Sequence, residues 1–190
     1  MMRIITGRAR GVKLDTLAGE NTRPTSERAK EAVFSMLQFD IEGRRVLDIY
    51  AGSGQMGLEA VSRGAQSATF VDSSRAAVEI IKRNAEKTRL ADFCRVLCAN
   101  AEDFIRTARG RECFDIVFID PPYALRAAAL TAGALLEAGM LKPSAIIVCE
   151  SEEADIFESA PQLRAKFEVM KNAKYGAAHV NVLKPLEENK

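Results

Sequence analysis

The feature that most constrains this chain is the junction in which a strand, Val46 to Tyr50, runs into Ala51-Gly52-Ser53-Gly54-Gln55-Met56-Gly57 and then a helix from about Gly54 to Ser62. Gly52, Gly54 and Gly57 follow the GxGxxG spacing, which lets a chain turn sharply, approach a ligand with its backbone and pack the next helix closely on a sheet. Asp72 closes the second strand, Ala68 to Val71, where a ribose-binding acid is expected. Further strands are predicted at Cys94 to Cys98, Asp115 to Ile119 and Ala145 to Cys149, and Val78, Ile81 and Ala85 recur at helical spacing behind Ser73 and Ser74. Strands alternating with amphipathic helices over residues 46–149 predict an α/β, Rossmann-like domain with a mostly parallel sheet.

Past Glu150, the acids Glu152, Glu153, Asp155 and Glu158 predict a solvated helix face, and Lys166 to Met170 with His179 to Leu183 predict an antiparallel pair turning near Gly176. The first 43 residues differ in character. Arg3, Arg8, Arg10 and Lys13 precede the first acid, Asp15; Met2 to Leu14 reads as a small hairpin, and Pro24, Thr25 and Ser26 launch a helix to Leu37 with Val33, Met36 and Leu37 on one side. The expected organisation is therefore an N-terminal basic hairpin and helix extension over 1–43 and one compact catalytic unit over 44–190.

With 190 residues, 47% of them apolar and 28% charged, one folded domain is expected. The 27 basic and 26 acidic residues nearly cancel, so binding by bulk charge is excluded and any nucleic-acid contact must be a local patch. Arg3, Arg8, Arg10, Lys13, Arg23 and Arg28 are its candidates. No apolar run approaches the roughly 18 residues of a membrane helix, and the basic start lacks the apolar stretch of a signal peptide, which predicts a cytoplasmic protein without membrane contact. Cys94, Cys98, Cys113 and Cys149 form no CxxC and His179 is the only histidine, so no metal site and reduced, mostly buried thiols are expected.

Asp48 decides which cofactor the loop suits. A carboxylate at the strand exit repels a dinucleotide pyrophosphate and attracts the ammonium and sulfonium of S-adenosylmethionine. Asp48, Gly52 and Gly54 are thus candidate cofactor residues, with Asp72 at the ribose and Asn100-Ala101 at the adenine edge. The competing reading has the glycines merely turn the chain while Asp48, Asp72 and Asn100 cap helices. The fourth strand ends in Asp120-Pro121-Pro122-Tyr123. An amine on an aromatic ring becomes nucleophilic when its two hydrogens are held by two acceptors, here the Asp120 carboxylate and the Pro121 carbonyl, while Tyr123 offers a face on which a base can stack. Beside the glycine loop, this predicts amine methylation without a covalent intermediate.

Here the sequence resembles the RsmD family of bacterial 16S ribosomal RNA (guanine-N2)-methyltransferases. The resemblance begins with Arg3-Ile4-Ile5-Thr6-Gly7 and Arg10-Gly11, continues through Arg23-Pro24-Thr25-Ser26-Glu27-Arg28 to Glu31 and Phe34, and includes the glycine loop, Asp120 to Tyr123 and Lys174-Tyr175-Gly176. Tyr50 stands where Phe is expected, and Gln55-Met56 where small or aliphatic residues are usual. The resemblance implies a seven-stranded class I methyltransferase sheet with an antiparallel C-terminal strand. It also implies a 16S rRNA guanine as substrate, held by Asp120, Pro121 and Tyr123. The near-zero net charge predicts a preference for small-subunit RNA already shaped by ribosomal proteins, and a monomer is expected. A DNA adenine-N6 methyltransferase, a protein-glutamine methyltransferase and a nicotinamide-dependent oxidoreductase are the rival readings. The last leaves Asp48 and the tetrapeptide without a role.

Overall fold

The computed structural model describes residues 2–17, 24–122 and 127–186. The chain runs α1 (Pro24–Met36), β1 (Arg45–Ile49), α2 (Gln55–Ser62), β2 (Ser67–Asp72), α3 (Arg75–Lys87), β3 (Cys94–Cys98), α4 (Ala101–Ala108), β4 (Phe114–Ile119), α5 (Ala128–Glu137), β5 (Leu141–Ser151), β6 (Phe167–Tyr175) and β7 (Ala178–Pro185). One seven-stranded sheet has the order β3-β2-β1-β4-β5-β7-β6. Neighbours from β3 through β5 pair in parallel, while β7 runs antiparallel to both β5 and β6. Strand order reverses between β1 and β4, so the loops after these two strands open side by side at the switch point where α/β sheets take ligands.

Period-two alternation builds two cores. Val46, Phe70, Phe118 and Val148 face one side with Val33 of α1, Leu58 of α2 and Ile81 of α3. Leu47, Val71, Val117 and Ile147 face the other, with Phe104 of α4 and Leu135 of α5. Because both faces are covered, β1 and β4 are buried almost continuously, as parallel strands are. Ser74 caps α3 by accepting the Ala77 N–H at 3.3 Å, and Gly176, at φ 64°, supplies the turn between β6 and β7.

The contrast at residue 43 is one of sequence character, because in packing the N-terminal segment joins the first core. Met2, Ile4, Ala9 and Leu14 are buried there. The hairpin is reduced to one bridge, Arg3 with Lys13, flanked by Ile4 N–H to Val12 O at 3.0 Å and Leu14 N–H to Met2 O at 3.0 Å. It is clasped by Glu59 of α2, whose fully buried carboxylate accepts the N–H groups of Ile5 at 2.7 Å and Thr6 at 3.0 Å. The same carboxylate pairs with Lys30 of α1 at 3.1 Å and Arg63 at 2.8 Å.

Two sequence expectations are corrected. The acidic stretch Glu152 to Glu158 is not a helix but a series of bends and turns in which Ile156 and Phe157 are buried. The Asp155 carboxylate takes the Phe157 N–H at 3.1 Å, a local bond that competes with a helical one. Strand β5 begins at Leu141, earlier than expected, because the register with β4 shifts between Phe114 and Ile116 and the irregular stretch accommodates Pro143. Cys149 is buried and Cys94 and Cys113 are partly so, but Cys98 is exposed. Among the described residues, no helix is long and apolar enough to cross a membrane.

Candidate active site

The glycine loop leaves β1 through strained backbone. Tyr50 adopts a φ of 66°, costly for a non-glycine residue, and is held there from both sides. The N–H groups of Tyr50 and Ala51 both donate to Val71 O, at 2.9 and 3.1 Å, and the Tyr50 hydroxyl meets the Thr131 hydroxyl of α5 at 3.0 Å. Gly52 and Gly54 follow at φ 53° and 76°, left-handed conformations that glycine adopts without penalty. At Gly57 the requirement is space: a Cβ there would stand 2.3 Å from the Phe70 ring and 3.2 Å from Asp48 Oδ2.

Two carboxylates tie this loop to its surroundings. Asp48, only 4% exposed, accepts the Gly57 N–H at 2.9 Å. Burial pushes its carboxyl pKa up to about 7; the Gly57 hydrogen bond opposes this and the neighbouring Asp72 charge adds to it. Asp72 accepts the Gly52 N–H at 2.9 Å on one oxygen and the Ser74 N–H at 2.8 Å on the other. Both acids therefore do make the local backbone bonds of the competing reading, yet each oxygen keeps further acceptor capacity for a ligand. Asn100, exposed beyond β3, caps α4: its Oδ1 accepts the Asp103 N–H at 2.8 Å and its Nδ2 donates to Asp103 Oδ2 at 2.9 Å. Ala101 opens that helix, where backbone N–H groups have no intrahelical acceptor.

Sequence reasoning missed Asn84. Its fully buried amide donates to Ser53 O and Asp15 O, both at 3.0 Å, and accepts the Asp15 N–H at 2.8 Å. It thereby locks the N-terminal segment to the glycine loop, where Ser53 Oγ also donates to Met2 Sδ at 3.0 Å. A polar residue between Ile81 and Ala85 on the apolar face of α3 was the available signal.

On the other side of the switch point, Ile119 pairs with Ile49 of β1 and Cys149 of β5, and the chain then enters Asp120-Pro121-Pro122. Asp120 and Pro122 are exposed and Pro121 is buried. Beside them opens a cleft of about 180 Å³ lined by Pro121, Pro122, Ala127, Glu150, Ser151 and Ile156, among others. Tyr123 and Arg23 lie outside the described residues. The loop carboxylates and the Asp120 segment thus come together at one end of the sheet.

The described cations do not all gather there. Arg3, Arg8, Arg10, Lys13 and Arg28 are exposed, but Arg8 donates its backbone N–H to Ser62 O at 2.9 Å, at the far end of α2, and its guanidinium stands 4.6 Å from the centre of the Phe93 ring before β3. Arg8 therefore sits at the opposite end of the sheet from the loop. Arg3 is nearer, beside Gln55 at the start of α2. Among the described residues, no group of three or more His, Cys, Asp or Glu side chains is placed to hold a metal ion.

Comparison with known proteins finds the family model described as conserved hypothetical protein 95 over residues 2–184. The chain is 36% identical over 153 residues to ribosomal RNA small subunit methyltransferase D of Haemophilus influenzae, covering 80% of this chain and 79% of that protein. It is 36% identical over 160 residues to the Escherichia coli protein of the same name, covering 84% and 79%. A solved Escherichia coli structure described as a candidate methyltransferase superposes with a TM-score of 0.83 and 32% identity, over 98% of this chain and 99% of that one.

Proposed function

This chain belongs to the conserved hypothetical protein 95 family, the RsmD family, and on that premise we propose that it methylates the exocyclic N2 amine of a guanine in 16S ribosomal RNA, using S-adenosylmethionine. The observation that carries this reading is the switch-point juxtaposition of the Asp48–Asp72 glycine loop with Asp120-Pro121-Pro122. The loop's donor set fits the cofactor. Among the described residues no cation lies beside the buried Asp48 carboxylate, whose pKa is raised, and a ligand ammonium is the complement it calls for. Asp48 would hold the methionine end and Asp72 the ribose, with the first turn of α4, rather than the capping side chain of Asn100, nearest the adenine. When bound, S-adenosylmethionine supplies a methyl group made electrophilic by its sulfonium.

The chain's own contribution is orientation. The Asp120 carboxylate and the Pro121 carbonyl accept the two hydrogens of the amine, so its lone pair is drawn out of conjugation and aimed at the methyl group. Asp120 also stands to receive the proton that the methylated amine must lose. Pro121 lacks an N–H, so that segment presents the carbonyl alone.

The ionisation of Asp48 gives a pH signature. Its folded pKa, about 7, lies above the ordinary value of 3.8. Without cofactor, the folded protein holds this proton where the unfolded chain has lost it, so stability falls as pH rises through that window. Cofactor binding reverses the preference, because a cation favours the carboxylate. Affinity measured by calorimetry is expected to rise about tenfold between about pH 5.5 and 7, with proton release at the lower end. Asp48→Asn should remove both effects, and a wild-type affinity that is flat over this range contradicts the assignment.

Arg3 and Lys13, opposite each other in the N-terminal bridge, together with Arg28 of α1, are proposed to contact ribosomal RNA. With so few cations, affinity is modest and salt-sensitive, which favours RNA already shaped by ribosomal proteins, with the target in an unpaired loop. The double change Arg3→Ala and Lys13→Ala should weaken methylation of small-subunit particles and flatten its salt dependence more than Arg8→Ala with Arg10→Ala. Equal effects of the two pairs across a salt series would reject this placement. The function itself is tested by nucleoside analysis of 16S rRNA from cells with and without the gene. Loss of one N2-methylguanosine on deletion is expected, and an unchanged set overturns the proposal.

A further inference from the structure

A guanine presents two adjacent donors on its Watson–Crick edge, the N2 amine and N1–H, whereas adenine presents its amine beside a ring nitrogen that accepts. Asp120 and Pro121 account for the amine. Selecting guanine requires a further acceptor next to them.

Strands β4 and β5 pair in parallel, with Phe118 beside Val148 and Ile119 beside Cys149. Asp120 directly follows the last residue of β4, and Glu150 follows Cys149 within β5. Phe118 and Val148 share the first core, so strand alternation sets Asp120 and Glu150 on that same side at the strand ends. Glu150 is half-buried and lines the cleft of about 180 Å³ together with Pro121 and Pro122. The cleft thus offers apolar surface from the two prolines and from Ile156, a residue of the second core, and Glu150 stands at its edge, one strand away from Asp120, which is not among the residues lining it.

We infer that Glu150 accepts the N1–H of the target guanine while Asp120 and Pro121 accept its amine, making Glu150 the residue that selects guanine over other amine-bearing bases. This rests on the guanine reading above and adds the determinant of base identity. A base whose N1 is an acceptor would turn its lone pair toward the Glu150 carboxylate in a partly desolvated cleft, leaving two acceptors facing each other without a proton. The same negative charge disfavours a phosphate, so a base edge rather than the RNA backbone enters.

The test uses 2-aminopurine, which keeps the amine but carries an acceptor at N1. Small-subunit particles are reconstituted with guanine or 2-aminopurine at the nucleotide that the wild-type protein methylates, and single-turnover rates are compared. The wild type should prefer guanine by at least about tenfold, as sites built to hydrogen-bond a group reject analogues lacking it. Glu150→Gln, whose amide can donate to an N1 acceptor, should bring the preference down to about threefold or less. Calorimetry with S-adenosylmethionine establishes that this variant is folded. A variant that keeps the wild-type preference, or a wild type that methylates both bases alike, overturns the role of Glu150 and leaves the function standing. A wild type that methylates no guanine in the particles overturns the function itself, and is seen before any variant is made.

Discussion

Replacing Asp120 by alanine is expected to slow methyl transfer at least about a hundredfold while leaving S-adenosylmethionine affinity nearly unchanged. Asp120 stands exposed past the end of β4, outside both cores, so its truncation opens no cavity. The carboxylates that tie the glycine loop, Asp48 and Asp72, are separate from it. What the change removes, on the proposed function, is one of the two acceptors for the amine, an interaction that would strengthen as the nitrogen pyramidalises. Its loss therefore falls on turnover rather than on cofactor binding. Single-turnover rates on small-subunit particles, set beside calorimetric cofactor affinity, check this; a near-normal rate would remove Asp120 from the chemistry.

Glu59→Ala should cost about 3 to 5 kcal/mol of folding stability, the cost of breaking a buried ion pair from one side. The Glu59 side chain is fully buried, and that of its partner Lys30 is only 3% exposed. Burial already holds the Lys30 pKa below its ordinary value, with the Glu59 charge as the chief opposing influence. Alanine at 59 removes the chief counter-charge of that buried ammonium, which keeps its hydrogen bond to the Arg3 carbonyl at 3.0 Å, and also frees the Ile5 and Thr6 N–H groups. Against a typical total of about 5 to 15 kcal/mol, the loss is severe, and it should release the N-terminal segment first. Urea denaturation measures it. Glu59→Gln, which keeps the shape and part of the hydrogen bonding, should fall between the two; a loss below about 1 kcal/mol in Glu59→Ala would mean that the clasp is not what holds the segment.

These two residues also mark what the sequence makes legible. Asp120 stands out because the chemistry proposed for it is written locally, in a strand followed by Asp-Pro-Pro, and the glycine loop for the same reason. Strands β1 to β4 were located to within about a residue by their continuous apolar runs. Glu59 and Asn84 act through partners more than 50 and 60 residues away in sequence, and nothing in the periodicity of α2 or α3 says what a buried polar side chain will meet. The acidic stretch after β5 misled because charge describes exposure, whereas Ile156 and Phe157 between the acids decide how it packs. Arg8 misled in a similar way, since closeness in sequence to Arg3 does not keep it at the same end of the sheet once the hairpin spans it. For Asp48 and Asp72 the two readings were never exclusive. A carboxylate can hold a loop's backbone and still present an acceptor to a ligand.

On the proposed function, one site joins an S-adenosylmethionine loop to an acceptor pair for the amine of a guanine. This is tested most directly by incubating the purified protein with methyl-labelled S-adenosylmethionine and small-subunit particles from cells lacking the gene, then digesting the RNA and identifying the labelled nucleoside. Label in N2-methylguanosine alone, abolished by Asp120→Ala, is the expected result. Label in N6-methyladenosine, or no transfer to the RNA, would contradict it.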